Sequence, residues 1–112
     1  MSLAILLRCN ALEESRRFYQ DVLRFQVEDL NEESISARCG DAEIMLTTLD
    51  LWQAPAQMSG TLYLGVDDVD AYYAHLNGRI EMVWPLQDMP YGTREFAIRD
   101  CNGYILAFVQ KH

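Results

Sequence analysis

The chain has 112 residues, half of them hydrophobic, with a formal net charge of −8 and an isoelectric point near 4.5. That length fits one compact domain with a modest core, for which oligomerisation is a common supplement. The acidic balance argues against nucleic acid as a partner, because nucleic-acid binders present basic faces. No signal peptide and no long apolar run is present, so no membrane is expected and a cytoplasmic location is. The three cysteines, Cys9, Cys39 and Cys101, are scattered and show no metal-site or disulfide spacing, which suits a reducing compartment.

In chain order, Ala4 to Cys9 is a short apolar strand. Leu12, Ser15, Phe18, Tyr19, Val22 and Leu23 follow at helical spacing, with Asn10 as the expected N-cap and Glu13 and Glu14 suiting the first turn. Phe25 to Leu30, Ser34 to Cys39 and Ala42 to Thr48 read as strands, with a hairpin turn at Glu32-Glu33. Residues 49–59 have weak patterning and look like a linker or flap. The order then repeats. Thr61 to Val66 is a strand. Val69, Tyr72, Tyr73 and Leu76 mark a helix capped by Asp67 or Asp68 and stopped at Asn77-Gly78. Ile80 to Trp84 is a strand ended by Pro85. Thr93 to Arg99 and Tyr104 to Val109 form the last hairpin, around a turn at Asp100-Cys101-Asn102-Gly103.

The sequence is therefore β-α-β-β-β written twice, with one module over about residues 3–50 and the second over about 60–112. The repeat shows in residues as well: Arg8-Cys9-Asn10-Ala11-Leu12-Glu13 lies over Gly65-Val66-Asp67-Asp68-Val69-Asp70. Duplication at this length implies an α+β domain of two tandem βαβββ modules, forming a curved mixed sheet around a cleft, with helices on the outer face.

Three stretches carry a family resemblance. Leu12 to Phe25 looks like the pattern L-E-x-S-x-x-F-Y-x-D-x-L-G-F, and Val66 to Ala71 looks like a second helix start. Gly92 to Leu106 looks like a G-x-R-E-F-x-x-x-D-P-x-G-x-x-L hairpin. In that order, over a duplication, they resemble the glyoxalase / bleomycin-resistance / extradiol dioxygenase superfamily, the vicinal oxygen chelate fold, across 1–112. The resemblance implies a divalent-ion site in the metal enzymes, from the first strand of each module and the last strand. Those positions fall on Ala4, Thr61 and Ala107. Two methyls and one hydroxyl are no ligand set, so no metal and no cofactor is expected. The chain looks closest to the metal-free bleomycin-resistance branch, which implies a drug- or metabolite-sequestering protein of the antibiotic-resistance type, acting as a homodimer and doing no chemistry.

Strand alternation nominates the ligand contacts. With Ala4, Thr61 and Ala107 facing the cleft, Arg8, Glu43, Met45, Tyr63 and Glu95 face it too. Trp52 and Trp84, beside a loop and a proline, are expected at its rim. This set suits a small cationic and aromatic ligand. Three other readings remain: a lyase or isomerase using Glu43 or Glu95 as general base with Arg8 as electrophile, an ion cluster in which Arg8 pairs with one glutamate and only orients the strands, and an interaction module with an unused cleft. His75 and His112 are expected to be incidental.

Overall fold

The computed structural model describes residues 2–76 and 78–111. The expected helix stop at Asn77 and the terminal His112 lie outside the described residues. Backbone contacts divide the chain into two compact units, which meet in sequence between Gln57 and Met58.

The fold is α+β, and each unit is a βαβββ module. In the first unit, β1 (Ala4–Arg8) leads into α1 (Leu12–Arg17), then β2 (Gln26–Asn31), β3 (Ser34–Cys39) and β4 (Ala42–Thr47). The sheet order is β1-β4-β3-β2, with β1 and β4 parallel and the other pairs antiparallel. In the second unit, β5 (Thr61–Gly65), α2 (Val69–His75), β6 (Glu81–Asp88), β7 (Thr93–Arg99) and β8 (Ile105–Lys111) give the corresponding order β5-β8-β7-β6, with β5 parallel to β8.

Two helix details differ from expectation. The N-cap of α1 is Ala11, in extended conformation and without a side-chain cap, rather than Asn10. The first turn is instead served by Glu13 and Glu14, whose charges suit the positive helix end. The helical pattern through Leu23 is split: α1 passes directly into a π-helical turn at Phe18–Val22. This turn ends with the Leu23 amide bonded to the Phe18 carbonyl at 3.0 Å, and Arg24 follows at φ 65°. The wider turn seats Tyr19 and Leu23, both fully buried, with Tyr19 edge-on to Phe25 at 5.6 Å.

The strand around Pro85 also differs. Pro85 does not end β6, which runs on to Asp88. Proline lacks the amide a ladder needs, but β6 is an edge strand, and its register with β7 shifts between Met82 and Trp84 and again between Trp84 and Gln87. An edge strand with an irregular ladder is where proline is tolerated. The consequence for Trp84 is direct: it sits within a strand, opposite Ala97, and not at a loop.

The closing turn forms as expected. The Asp100 carboxylate accepts from the amides of Asn102 and Tyr104, both at 2.8 Å, and Gly103 takes the left-handed φ of 92°. The core of this unit is aromatic. Phe96, Ile98, Leu106 and Phe108 are fully buried on the helix-facing side. Tyr72 of α2 packs on Phe108 with ring centres 4.7 Å apart, and Tyr73 meets Phe96 edge-on at 5.1 Å. Both tyrosines thus belong to the helix–sheet seam. His75 is exposed, with Nδ1 2.6 Å from the Ala71 carbonyl oxygen.

Candidate functional site

Side chains alternate along a strand, so the face opposite each helix follows from the register. In the first unit Ala4, Glu43 and Arg38 share one row across β1, β4 and β3. Leu6, Met45 and Ser36 share the next, and Arg8, Thr47 and Ser34 the third. The face therefore carries Arg8, Glu43 and Met45 together, as the alternation predicts.

Their partners differ from expectation. Arg8 does not pair with Glu43. Its guanidinium lies 3.5 Å from the Asp50 carboxylate and donates to the Ala54 carbonyl. Asp50 in turn accepts from the Ala54 amide at 3.0 Å. The cation at the end of β1 thus fastens the segment after β4, a role the weak patterning of residues 49–59 hid. Glu43 is held by the Ser36 hydroxyl at 2.6 Å and, more loosely, by Arg38 at 3.4 Å. Trp52 projects from the same segment and is exposed.

In the second unit one row runs Tyr63, Ala107, Ala97, Trp84 across β5, β8, β7 and β6. The next row runs Gly65, Val109, Glu95, Gln87. Glu95 is fully buried, and both its oxygens are engaged. Oε2 accepts from the Trp84 indole at 3.1 Å; Oε1 accepts from the Tyr91 phenol at 3.0 Å and the Thr93 hydroxyl at 2.8 Å. All three donors are neutral, and among the described residues no lysine, arginine or histidine forms an ion pair with Glu95. A buried carboxylate is tolerable only when such donors replace its lost water.

Tyr91 and Thr93 were missed in the sequence. For Thr93 the signal was present, because residues 93 and 95 recur at the strand period and so point to one side, whereas Tyr91 lies in the turn before β7, where alternation does not apply. Desolvation and the bond to Glu95 push the Tyr91 hydroxyl above the ordinary phenol range, and the Tyr63 phenol adds to that shift. Ala107, fully buried, contributes floor and no contact surface in this conformation, while Tyr63 is exposed. A cavity of about 680 Å³ opens beside this face. Tyr63, Gly65 and Asp67 line it from β5 and beyond, and Val109, Gln110 and Lys111 from β8. A volume in this range accommodates a small molecule. Gln110 is fixed there, because its side-chain oxygen accepts from the Val69 amide at 2.8 Å.

The divalent ion of the superfamily's metal enzymes does not fit these residues. Ala4 and Ala107 offer methyls, and Thr61 offers one hydroxyl opposite Ile105. Among the described residues no three His, Cys, Asp or Glu side chains converge. No reaction step can be drawn through such an ion with this donor set.

Comparison with solved structures returns the same fold. A glyoxalase-related enzyme from Fulvimarina pelagi aligns over 99% of this chain and 88% of its own, at 19% identity and TM-score 0.76. A protein of unknown function from Agrobacterium tumefaciens aligns over 96% and 90%, at 20% identity and TM-score 0.76. The bleomycin-binding protein of Streptomyces verticillus, solved with copper(II)-bleomycin, aligns over 100% and 97%, at 19% identity and TM-score 0.72. No significant match is found among curated protein sequences. A family model covering residues 3–108 matches, and with it the chain belongs to the Glyoxalase/Bleomycin resistance protein/Dioxygenase superfamily.

Proposed function

We propose that this chain is a metal-free small-molecule-binding protein of the bleomycin-resistance kind, which sequesters a drug or metabolite and leaves it chemically unchanged. The observation that carries this reading is the state of the two candidate bases. Glu95 is buried and accepts three hydrogen bonds, and Glu43 is held by Ser36 and Arg38. A general base needs an oxygen within reach of a substrate proton. The candidate electrophile, Arg8, is committed to Asp50 and Ala54. The rival reading, a lyase or isomerase using Glu43 or Glu95, has less support on these grounds.

What the face does offer is recognition: Tyr63 lines a cavity of small-molecule size, and Trp84, at the far end of the same cross-strand row, and Tyr91, bonded to Glu95, add ring surfaces. The likeness to the S. verticillus protein, whose structure holds copper(II)-bleomycin, agrees with a small-molecule ligand. The chain acts as a homodimer in this reading, as the family resemblance implies. Among the described residues no disulfide joins its three cysteines, which suits the reducing cytoplasm.

Calorimetric titration of bleomycin and of other planar cationic compounds tests the reading. Binding without added metal is expected, and Trp84→Ala should weaken it by ~1–3 kcal/mol if the ring stacks on the ligand. Binding that appears only after loading a divalent ion, or that Trp84→Ala leaves untouched, overturns it.

A further inference from the structure

We propose that the second unit holds a site for an organic cation of diffuse charge, such as a quaternary ammonium group, gripped by the ring faces of Trp84, Tyr91 and Tyr63 with Glu95 as a hidden counter-charge. The proposal rests on the small-molecule-binding reading and specifies how charge is recognised. Glu95 is fully buried, so a visiting cation does not reach its oxygens. Its negative charge is nevertheless balanced by no protein cation among the described residues. Two of its three donors are aromatic: the Trp84 indole N–H at 3.1 Å and the Tyr91 phenol O–H at 3.0 Å. Donation to a carboxylate pushes electron density into a ring and makes its face more negative. The attraction of that face for a cation rises accordingly, and the carboxylate adds its own field through a low-dielectric interior.

The surroundings select the kind of cation. Tyr91 and Tyr63 are 63% and 59% exposed, so their rings are open to a ligand. Tyr63 and Trp84 stand at the two ends of one cross-strand row, with only the Ala107 and Ala97 methyls between them. Val109, the register partner of Glu95, and Gly65 line the neighbouring cavity with Tyr63, and a Cβ placed on Gly65 meets nothing within 4 Å. A compact ion such as Mg²⁺ requires direct oxygen ligands, which the covered carboxylate does not supply. An anion is disfavoured by Glu95 and by a net charge of −8, against one cation, Lys111, among the cavity-lining residues. A cation with its charge spread over methyl or ring carbons loses little hydration and fits ring faces.

Choline and its uncharged carbon isostere, 3,3-dimethylbutan-1-ol, are matched probes. Trp52→Phe leaves Trp84 as the one indole, because the chain has two tryptophans. NMR titration then follows the Trp84 Nε1–H resonance. Choline is expected to bind roughly tenfold more tightly than the isostere. Glu95→Gln, which keeps size and removes charge, should erase that preference, and Tyr91→Phe, which keeps the ring and removes the bond, should reduce it. Equal affinity for the two probes, no binding of either, or a preference that survives Glu95→Gln in a folded protein overturns the proposal. If the melting curve shows that Glu95→Gln does not fold, Tyr91→Phe decides, and an unchanged preference there overturns it. Failure of both probes while bleomycin still binds would sink the cation site alone and leave the binding function standing.

Discussion

The two carboxylates on the sheet faces should respond differently to the same change. Glu95 is buried and accepts three hydrogen bonds, two of them on Oε1. Glu95→Gln places an amide N–H₂ against at least one donor and leaves that donor unsatisfied, at a cost of about 1–3 kcal/mol. Glu43 is partly exposed and its stronger partner is the Ser36 hydroxyl at 2.6 Å. Water can replace what Glu43→Gln loses, so its cost should stay below ~1 kcal/mol. Denaturant melts of both variants check the order; equal losses would mean that Glu95 is not the better-held group. The inward direction of both glutamates was legible from alternation alone. Their partners were not, because Tyr91 reaches Glu95 from a turn and Ser36 reaches Glu43 across the strand register, which a linear pattern does not encode.

Among the elements, two local features make separable predictions. The family pattern asks for glycine after Leu23, and this chain has Arg24 there at φ 65°. A left-handed non-glycine residue costs about 1–2 kcal/mol, and glycine's extra unfolded-state entropy offsets about 0.5–1 of that relief. Arg24→Gly should therefore raise stability by roughly 0.5–1 kcal/mol, readable as a higher melting temperature. The second feature ties α2 to β7: Arg94 meets the Asp70 carboxylate at 3.0 Å, and this holds the Asp70 pKa below its ordinary value. A group depressed in the folded state stabilises the protein above its unfolded pKa, about 3.9, and that contribution is lost as the pH falls through the lower folded value. Asp70→Asn should accordingly flatten the acid limb of the stability–pH curve below about pH 4 and lower the neutral-to-alkaline limb without changing its slope. The strands around Gly40 and Gly103 and the start of α2 were legible because period-two alternation, turn residues and the Asp68 cap agree there. The path of β6 through Pro85 was not, since proline reads as a stop unless the strand is known to lie at an edge, and edge position is set by the whole sheet.

At the scale of the whole molecule, the duplicated module was legible because helix and strand periods alternate in the same order twice, and the family's three motifs fall in register with them. The expectation of a metal-free site rests on subtraction, because Ala4, Thr61 and Ala107 stand where the family resemblance places the metal enzymes' ligands. The proposed homodimer is tested by sedimentation at micromolar concentration: a dimer mass is expected, and a clean monomer would contradict it. The central claim, capture without conversion, is met most directly by native mass spectrometry of the chelator-treated protein incubated with a panel of planar cationic compounds that includes bleomycin. The account predicts a stoichiometric adduct without any metal ion, from which the compound is released with its mass unchanged. A released species of altered mass, or an adduct that forms only once a divalent ion is restored, would contradict it.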